Sequence, residues 1–356
     1  MNKALIAMSG GVDSSVAAYL MKEHGFDCTG VTMKLFDNDD IGISREKACC
    51  SLEDVEDARS VAYRLDMPYH VFNFTDDFNA QIIKRFIDAY EEGATPNPCI
   101  DCNRYMKFDK LFERAKMLDM NYVVTGHYVR VEYDNTMQRW LLKKAIDHDK
   151  DQSYVLYFMT QEQLKHAAFP LGELRKQEVR RIAAEQGFIN ANKGDSQDIC
   201  FVRDNDYAGF IEQYTGKTYE DGNFVDTHGN VLGRHKGIIR YTIGQRKGLG
   251  LALPAPLYVC CKDVETNTVT LSDNDGLFTK PLTAKDFNWI AYDTPPATLR
   301  VKAKVRYKQA EQWATAHTID DNTVHIEFDE PQRAIAKGQA VVLYDGDTVV
   351  GGGTIV

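Results

Sequence analysis

The sequence predicts an α/β protein in which a doubly wound parallel sheet is followed by a small central domain and a C-terminal β-barrel. Strand and helix patterns alternate up to about residue 203, short glycine-rich runs continue to residue 283, and the remainder reads as β-strands. Strand–helix alternation is typical of βαβ units with helices on both faces of a mostly parallel sheet. We therefore divide the chain into residues 1–203, 204–283 and 284–356.

The N-terminal segment begins with a short apolar run that is bounded by glycine, as expected of a buried parallel strand. Apolar residues at helical spacing follow, and Gly25 is a suitable helix end. The pattern predicts strands at Ala4–Met8, Cys28–Phe36, Tyr69–Phe74 and Tyr122–Thr125, and helices at Ser14–His24, Leu52–Leu65, Phe78–Tyr90 and Phe108–Leu118.

The C-terminal segment contains short strand-like runs separated by turn residues, and a small β-barrel is the natural closure for such strands. The predicted strands are Leu299–Tyr307, Thr323–Phe328, Ala340–Leu343 and Val349–Val356. The central segment, whose part His235–Leu253 is rich in glycine and basic residues, is predicted to be a separate small domain.

Composition excludes several classes of protein. Apolar residues at 44% and aromatic residues at 11% exclude global disorder. No apolar run approaches the roughly 18 residues of a membrane span, and the first apolar run is shorter than a signal-peptide core. We therefore expect a cytoplasmic protein without a membrane partner. Eight cysteines in 356 residues are too dilute for a disulfide scaffold, so they are thiols, metal ligands or catalytic groups.

The net charge of −10 argues against a non-specific nucleic-acid binder, but the charge is unevenly distributed. Thr227–Lys262 contains no acidic residue. Basic residues also recur at every second position of one predicted strand, which makes one face positive: Arg300, Lys302, Lys304, Arg306 and Lys308. Acidic residues are concentrated in Asp37–Asp57. These basic segments indicate an RNA contact, and a merely solvated strand face is the alternative.

The loop Ser9–Ser15, with the sequence SGGVDSS, follows the first strand and opens the first helix. Its glycines allow the backbone to approach an anion, and the helix N-terminus presents N–H groups and a positive dipole end. A bare phosphate would repel Asp13, so we expect that carboxylate beside Mg²⁺. The kinase-type phosphate loop and the dinucleotide-binding glycine pattern are both absent from the sequence. A phosphate-binding loop is therefore favoured over a simple strand–helix turn.

Three cysteines stand in segments that suggest chemistry. Cys99 and Cys102 form a C-x-x-C pair after two prolines, and Cys200 lies in Asp195–Phe201. A zinc site would need a second suitable pair, a thioredoxin-like motif would not follow prolines, and inert buried thiols are a third alternative. The remaining alternative joins a nucleophilic thiolate or persulfide to ATP activation, so that sulfur replaces oxygen on an adenylated carbon.

Several segments together carry a family resemblance that runs nearly end to end. They are AMSGGVDSS (Ala7–Ser15), TPNPCIDCNRYMKF (Thr95–Phe108), TGHY (Thr125–Tyr128), KDQSY (Lys150–Tyr154), DSQDICF (Asp195–Phe201), HKGIIRYTIGQRKGLGL (His235–Leu251) and VRYKQ (Val305–Gln309). On these segments the chain closely resembles the tRNA-specific 2-thiouridylases, the MnmA family of the PP-loop ATP-pyrophosphatase superfamily. The SGGVDSS loop alone is shared by many synthetases of that superfamily.

The resemblance implies an N-terminal ATP-pyrophosphatase domain, a central tRNA-binding domain and a β-barrel. It implies that Cys102 is the nucleophile or acid/base thiol and that Cys200 carries a persulfide. The implied ATP-binding residues are Ala7, Met8, Ser9, Gly10, Gly11, Val12, Asp13, Ser14, Met33 and Gly126. The implied target-base residues are Asn97, Pro98 and Cys99, and the implied tRNA contacts are Lys150, Asp151, Gln152, Arg306 and Tyr307.

The implied reaction uses ATP and Mg²⁺ to adenylate the C2 oxygen of the wobble uridine in tRNAs for Lys, Glu and Gln. Sulfur from the persulfide then gives 2-thiouridine, AMP and pyrophosphate. The implied partners are the tRNA anticodon stem-loop and a sulfur donor, either a cysteine desulfurase or a relay protein. Three alternatives stay open: a thiolase for another tRNA position, a synthetase of the same superfamily, and a non-catalytic RNA-binding module.

One departure from the family pattern concerns Cys99, where many members carry an acidic residue. The nearest acid here is Asp101, which leaves a general-base role at position 99 in doubt. Because related thiolases bind an iron–sulfur cluster through three cysteines, a cluster on Cys99, Cys102 and Cys200 is a less favoured alternative. His127 is expected to be a structural histidine, with a phosphate or ribose contact as the alternative.

Overall fold

The computed structural model describes residues 2–36, 52–194, 199–252 and 255–356. The predictions for the acidic residues 37–51 and for residues 195–198 of the DSQDICF motif lie outside the described residues.

The N-terminal domain is built on a parallel sheet, as predicted. Its sheet has the strand order β3-β2-β1-β4-β7, and every neighbouring pair is parallel. Strands β5 and β6 form an antiparallel hairpin outside this sheet. The seven strands are β1 (Lys3–Ala7), β2 (Asp27–Lys34), β3 (Tyr69–Asn73), β4 (Tyr122–Val124), β5 (Val129–Asp134), β6 (Arg139–Lys144) and β7 (Ala167–Ala168).

Helices cover the sheet and form the start of the central domain. They are α1 (Val12–Glu23), α2 (Leu52–Arg64), α3 (Thr75–Phe78), α4 (Lys84–Glu91), α5 (Pro98–Asp101), α6 (Leu111–Met117), α7 (Gln161–Lys165), α8 (Lys176–Glu185) and α9 (Tyr207–Thr215). Short 3₁₀ turns lie at Ser153–Leu156, Ile238–Arg240 and Asp275–Leu277.

Two predicted helices differ from the structure because each contains a π-helical stretch. Asn79–Ile83 joins α3 to α4, and Cys102–Lys110 joins α5 to α6. The second helix therefore begins at Pro98, ten residues before the predicted start at Phe108. The hydrophobic spacing that identifies an α-helix in a sequence does not reveal a π-helical stretch. Such stretches are frequent at functional sites.

The central domain contains a four-stranded sheet with the order β10-β11-β8-β9. Its strands are β8 (Gly222–Val225), β9 (Val231–His235), β10 (Tyr258–Asp263) and β11 (Thr268–Ser272). Its apolar core is continuous with that of the parallel sheet, because Phe86, Phe201, Phe210 and Phe224 belong to one buried cluster. The two domains therefore share a core.

The C-terminal domain is a closed antiparallel β-barrel, as predicted. Strands follow one another in the order β12-β15-β14-β13-β16-β17, and pairing of β12 with β17 closes the ring. The six strands are β12 (Phe278–Trp289), β13 (Thr298–Lys304), β14 (Gln312–Asp320), β15 (Thr323–Arg333), β16 (Ala340–Asp345) and β17 (Thr348–Ile355).

The barrel differs from the sequence expectation in its strands, in its N-terminal boundary and in the hairpin that joins its sheet. Strands β12 and β14 were not predicted, and β12 crosses residue 283, where we placed the last boundary. The hairpin β5–β6 also joins the barrel sheet, through pairing of Thr348 with Lys143. Strands with mixed exposure, such as β12, lack the regular alternation that identifies a half-buried strand.

Lys262 lies where the central domain meets α4. Its ammonium donates to the Tyr241 carbonyl at 2.9 Å and lies 5.9 Å from the centre of the Tyr90 ring. Burial lowers the pKa of Lys262 from 10.5 to about 8. Because the unfolded chain holds this proton more tightly, the lysine lowers stability below pH 8, and the penalty disappears between pH 8 and 10.5.

We expect Lys262→Met, which keeps the length and apolar stem, to stabilise the protein at pH 7. This advantage over the wild type should shrink as pH rises from 8 to 10, by at most about 1.4 kcal/mol per pH unit. Urea unfolding of both proteins, followed by circular dichroism at each pH, measures the difference. A pH-independent difference would contradict the assignment.

Candidate active site

The loop between β1 and α1 is held by close backbone contacts that require glycine. Gly10 has φ +75°, and a Cβ there would lie 2.3 Å from the carbonyl oxygen of Asp54 in α2. A Cβ on Gly126 would lie 2.8 Å from the backbone of Asp13 and Ser14. Gly126, which the resemblance implies is a nucleotide-binding residue, is therefore packed directly on the Ser9–Ser15 loop.

The serine hydroxyls brace this loop from within. Those of Ser14 and Ser15 both donate to the Gly11 carbonyl, and Ser14 Oγ accepts from the Ser9 N–H. Buried Asn190 donates to the Gly10 carbonyl and to Ser15 Oγ, each at 2.9 Å. The loop that was predicted to bind phosphate is thus braced by its own side chains, and the backbone N–H groups at the start of α1 are of the kind that helix-terminus anion sites use.

Asp13 is bound to a lysine that the sequence did not indicate. Lys176 Nζ lies 2.8 Å from both carboxylate oxygens, and the Tyr128 hydroxyl donates to Oδ1 at 2.8 Å. Lys176 is buried at the first position of α8, where its backbone N–H donates to Asp147. The Asp13 carboxylate therefore orients a buried ammonium at the phosphate loop.

The predicted role of Asp13 as a Mg²⁺ ligand fits this arrangement poorly, because both of its oxygens accept from Lys176. Among the described residues, no group of three or more His, Cys, Asp or Glu side chains could hold a metal ion. This holds for Cys99, Cys102 and Cys200 as well. The described residues around Asp13 thus present an ammonium and backbone N–H groups at the SGGVDSS loop.

His127 has the environment of a structural histidine. Its side chain is buried, its Nδ1 lies 2.6 Å from the Thr125 hydroxyl, and the rings of Phe108 and Phe169 pack against it. Burial, assisted by the positive charge of Lys107, holds the pKa of His127 well below its usual value. The ring is therefore neutral at physiological pH.

The two thiols implied in catalysis both border the same large apolar cluster. Cys102 begins the π-helical stretch, and both Cys102 and Cys200 are half-buried against the apolar cluster that contains Phe201. Cys99 is exposed on α5. Burial raises the pKa of nearby Asp101, although the positive charges of Arg85 and Arg104 oppose the shift.

The barrel holds the loop that was expected to meet the target base. The Thr95 N–H donates to the Lys337 carbonyl at 2.8 Å, and the Gln339 amide donates to the Thr95 carbonyl at 2.8 Å. A Cβ on Gly338 would lie 3.2 Å from the Thr95 backbone. Asn97 and Pro98 follow this contact directly, so the barrel determines the path of the predicted base-binding residues.

The predicted tRNA contacts lie at the junction of the N-terminal domain and the barrel. The Tyr128 N–H donates to the Gln152 side-chain oxygen, and the Gln152 N–H donates to the Tyr128 carbonyl. The Tyr307 hydroxyl donates to the Asp151 carbonyl at 3.0 Å. Lys150 precedes these residues and is half-buried. Arg306 is exposed and donates to the Ala334 carbonyl. The KDQSY and VRYKQ motifs are thereby brought together.

The expectation of a uniformly positive strand face is wrong beyond Lys304, because β13 ends at that residue. Within β13 the alternation is as predicted, with Val301 and Ala303 in the barrel core. Arg300 pairs with Asp329, and Lys304 is half-buried near the rings of Tyr154 and Tyr344. The five basic side chains therefore have different environments, and they do not form one continuous positive face.

Comparison with known proteins places the chain in a class that combines an α/β domain of the HUP type with a PRC-barrel domain and a β-barrel domain. Residues 2–204 match a family model described as tRNA methyl transferase HUP domain. Residues 208–273 match tRNA methyl transferase PRC-barrel domain, and residues 279–355 match Aminomethyltransferase beta-barrel domain.

Full-length relatives identify the family within this class. The chain is 53% identical over 353 residues to the tRNA-specific 2-thiouridylase MnmA of Clostridioides difficile, covering 99% of this chain and 98% of that protein. It is 51% identical over 354 residues to the enzyme of the same name from Acetivibrio thermocellus, covering 99% of both chains. The chain therefore belongs to the tRNA-specific 2-thiouridylase MnmA family. In the described part of the chain, no helix is long and apolar enough to cross a membrane.

Replacing Lys176 tests its contribution to the ATP site. We expect Lys176→Met to weaken ATP binding at least about tenfold, because the Asp13 carboxylate would then face the phosphates without its cation. Calorimetric titration with a non-hydrolysable ATP analogue measures the affinity. Lys165→Met, at an exposed position of α7, is the matched control and should bind as the wild type does.

The double variant Lys176→Met/Asp13→Asn separates two roles of the lysine. Relative to the single variant it should be thermally more stable, because no partly buried carboxylate is left without its cation, yet ATP binding should stay weak because the ammonium is missing. Recovery of full affinity would show that Lys176 only neutralises Asp13. Unchanged affinity in the single variant would exclude Lys176 from the ATP site.

Proposed function

We propose that this protein is an ATP-dependent tRNA 2-thiouridylase that modifies the wobble uridine of tRNAs for Lys, Glu and Gln. The observation that carries the proposal is the combination of an internally braced SGGVDSS loop with two half-buried thiols that border one apolar cluster. Although the matching domain models carry methyl transferase in their descriptions, methyl transfer needs neither an ATP loop nor a thiol pair. The names of the full-length relatives agree with sulfur transfer.

In the proposed activation step, the uracil O2 attacks the α-phosphorus of ATP and pyrophosphate leaves. Ser9–Ser14 hold the phosphates through backbone N–H groups, and Lys176 supplies the positive charge that the departing pyrophosphate requires. Met33 and Gly126 border the nucleotide. The wobble base must leave its stack to be reached, and Asn97, Pro98 and Cys99 receive it on the loop held by Gln339.

In the proposed transfer step, the terminal sulfur of a Cys200 persulfide attacks C2 of the adenylated uridine and AMP leaves with the former O2. The Cys102 thiolate then attacks Cys200 Sγ, which breaks the S–S bond and releases 2-thiouridine. The two electrons that reduce the transferred sulfur come from the thiol pair, which ends as a disulfide. An external thiol restores it, and a sulfur-donor protein reloads Cys200. The alternative is that Cys102 transfers protons instead.

The proposed tRNA contacts are Lys150–Gln152 on the N-terminal domain and Arg306 with Tyr307 on the barrel. Their support is the hydrogen bond between the Tyr307 hydroxyl and the Asp151 carbonyl, which joins both sets into one surface. Tyr307 is 36% exposed, so its ring is accessible to a partner. Lys304 beside it is half-buried, and burial lowers its pKa.

The test is a thiolation assay with single tRNA species, read by pyrophosphate release and by a gel that retards thiolated tRNA. We expect Cys200→Ser to abolish thiolation while pyrophosphate release persists in part, because adenylation precedes sulfur transfer. Cys261→Ser, at an exposed central-domain thiol, is the control and should remain active.

Four outcomes would contradict the proposal. Full thiolation by Cys200→Ser with a physiological sulfur donor would exclude the persulfide. Modification of a different uridine would favour a thiolase for another tRNA position, and ATP turnover without any tRNA would favour a synthetase of the same superfamily. Visible absorption and bound iron after anaerobic purification would instead require a cluster.

A further inference from the structure

A cleft of about 580 Å³ lies where the central domain meets the barrel. The central domain contributes a loop and the first residue of β10, and the barrel contributes Arg306 after β13. The lining residues are Thr242, Ile243, Gly244, Gln245, Arg246, Lys247, Tyr258 and Arg306. None of these is acidic, and three of them are cations.

A fourth cation, Arg333, stands at the same place. A Cβ built on Gly244 would lie 3.6 Å from Arg333 Nη1 and 3.9 Å from Arg306 Nη2. The two guanidinium groups therefore converge on one point beside the Gly244 backbone. A side chain at position 244 would enter this space, and φ +88° at Gly244 also favours glycine.

The converging guanidinium groups have neutral partners. Arg306 donates to the Ala334 carbonyl at 2.8 Å, and Arg333 Nε donates to the Asn274 side-chain oxygen at 3.1 Å. Among the described residues, neither forms an ion pair with a carboxylate. Partial burial, with the positive charge of Arg333, lowers the pKa of Arg306. Like charges brought together without a counter-ion create a positive potential that an anion would neutralise.

The frame around these cations is held by short-range contacts. Arg333 Cζ lies 5.2 Å from the centre of the Tyr258 ring. The Gly244 N–H donates to the Val259 carbonyl, and Gln245 bonds Thr242 through both backbone and side chain. Exposed Arg246 and Lys247 stand at the rim. The guanidinium positions are thus set by the fold before any ligand arrives.

We propose that this cleft binds a backbone phosphodiester of the RNA substrate, which would contact the barrel and the central domain at once. The proposal rests on the proposed function for its RNA. The four cations of the cleft are exposed and lie along the open boundary between the central domain and the barrel. An extended RNA chain therefore fits the cleft better than a small free anion does. Arginine suits the planar, two-point contact that phosphate oxygens allow.

The test is the salt dependence of tRNA binding, measured by filter retention without ATP or sulfur donor. For Arg333→Gln we expect affinity to fall about three- to tenfold and the slope of log K against log salt to lose about one unit. Arg333→Lys should keep the slope. The control is Arg181→Gln on α8, an exposed arginine outside the cleft, which should match the wild type.

A second measurement guards against misfolding and against a small-ion site. Thermal melting must show Arg333→Gln folded, and melting with inorganic phosphate tests the free anion. Equal slopes for wild type and Arg333→Gln would overturn the proposal, and so would an Arg333-dependent phosphate shift without any change in the RNA slope. If the protein thiolates tRNA but wild type and Arg333→Gln have equal salt slopes, only the proposed cleft is refuted. If Arg333→Gln alters the slope but the wild-type protein never thiolates tRNA, only the proposed function is refuted.

Discussion

The ion pair between Asp13 and Lys176 is the contact on which the organisation of the candidate site depends. It joins the first turn of α1 to the start of α8, and the Tyr128 hydroxyl adds the loop after β4. The ammonium is buried and the carboxylate is partly buried, so leaving either one unpaired would be costly. Three separate chain segments therefore meet at this pair, which ties the position of the SGGVDSS loop to the rest of the N-terminal domain.

The second constraint is the apolar core that crosses from the N-terminal domain to the central domain. Phe86, Phe201 and Phe210 pack ring against ring, and Cys200 precedes Phe201 in the chain. The packing of Phe201 thus helps to place the Cys200 thiol. Cys102 borders the same cluster from the first residue of the π-helical stretch Cys102–Lys110.

The barrel contributes to the site although it carries neither thiol nor phosphate loop. Through Lys337, Gly338 and Gln339 it holds the Thr95 loop, and through Tyr307 it meets Asp151. The same domain provides Arg306 and Arg333 at the seam with the central domain. RNA that engaged the barrel would therefore lie beside both the loop expected to receive the base and the positively charged cleft.

Features that depend on neighbouring residues could be predicted from the amino-acid sequence alone. The SGGVDSS loop, the strand–helix alternation and the alternating face of β13 could be predicted because local backbone preferences and side-chain periods encode them. The thiols could be named as candidates because of their chemistry. By contrast, the pairing of Asp13 with Lys176, the support of the SGGVDSS loop by Asn190 and the joining of β5–β6 to the barrel became visible only in the folded protein. These contacts join residues more than 150 positions apart in the chain, and they follow from packing that no local pattern records.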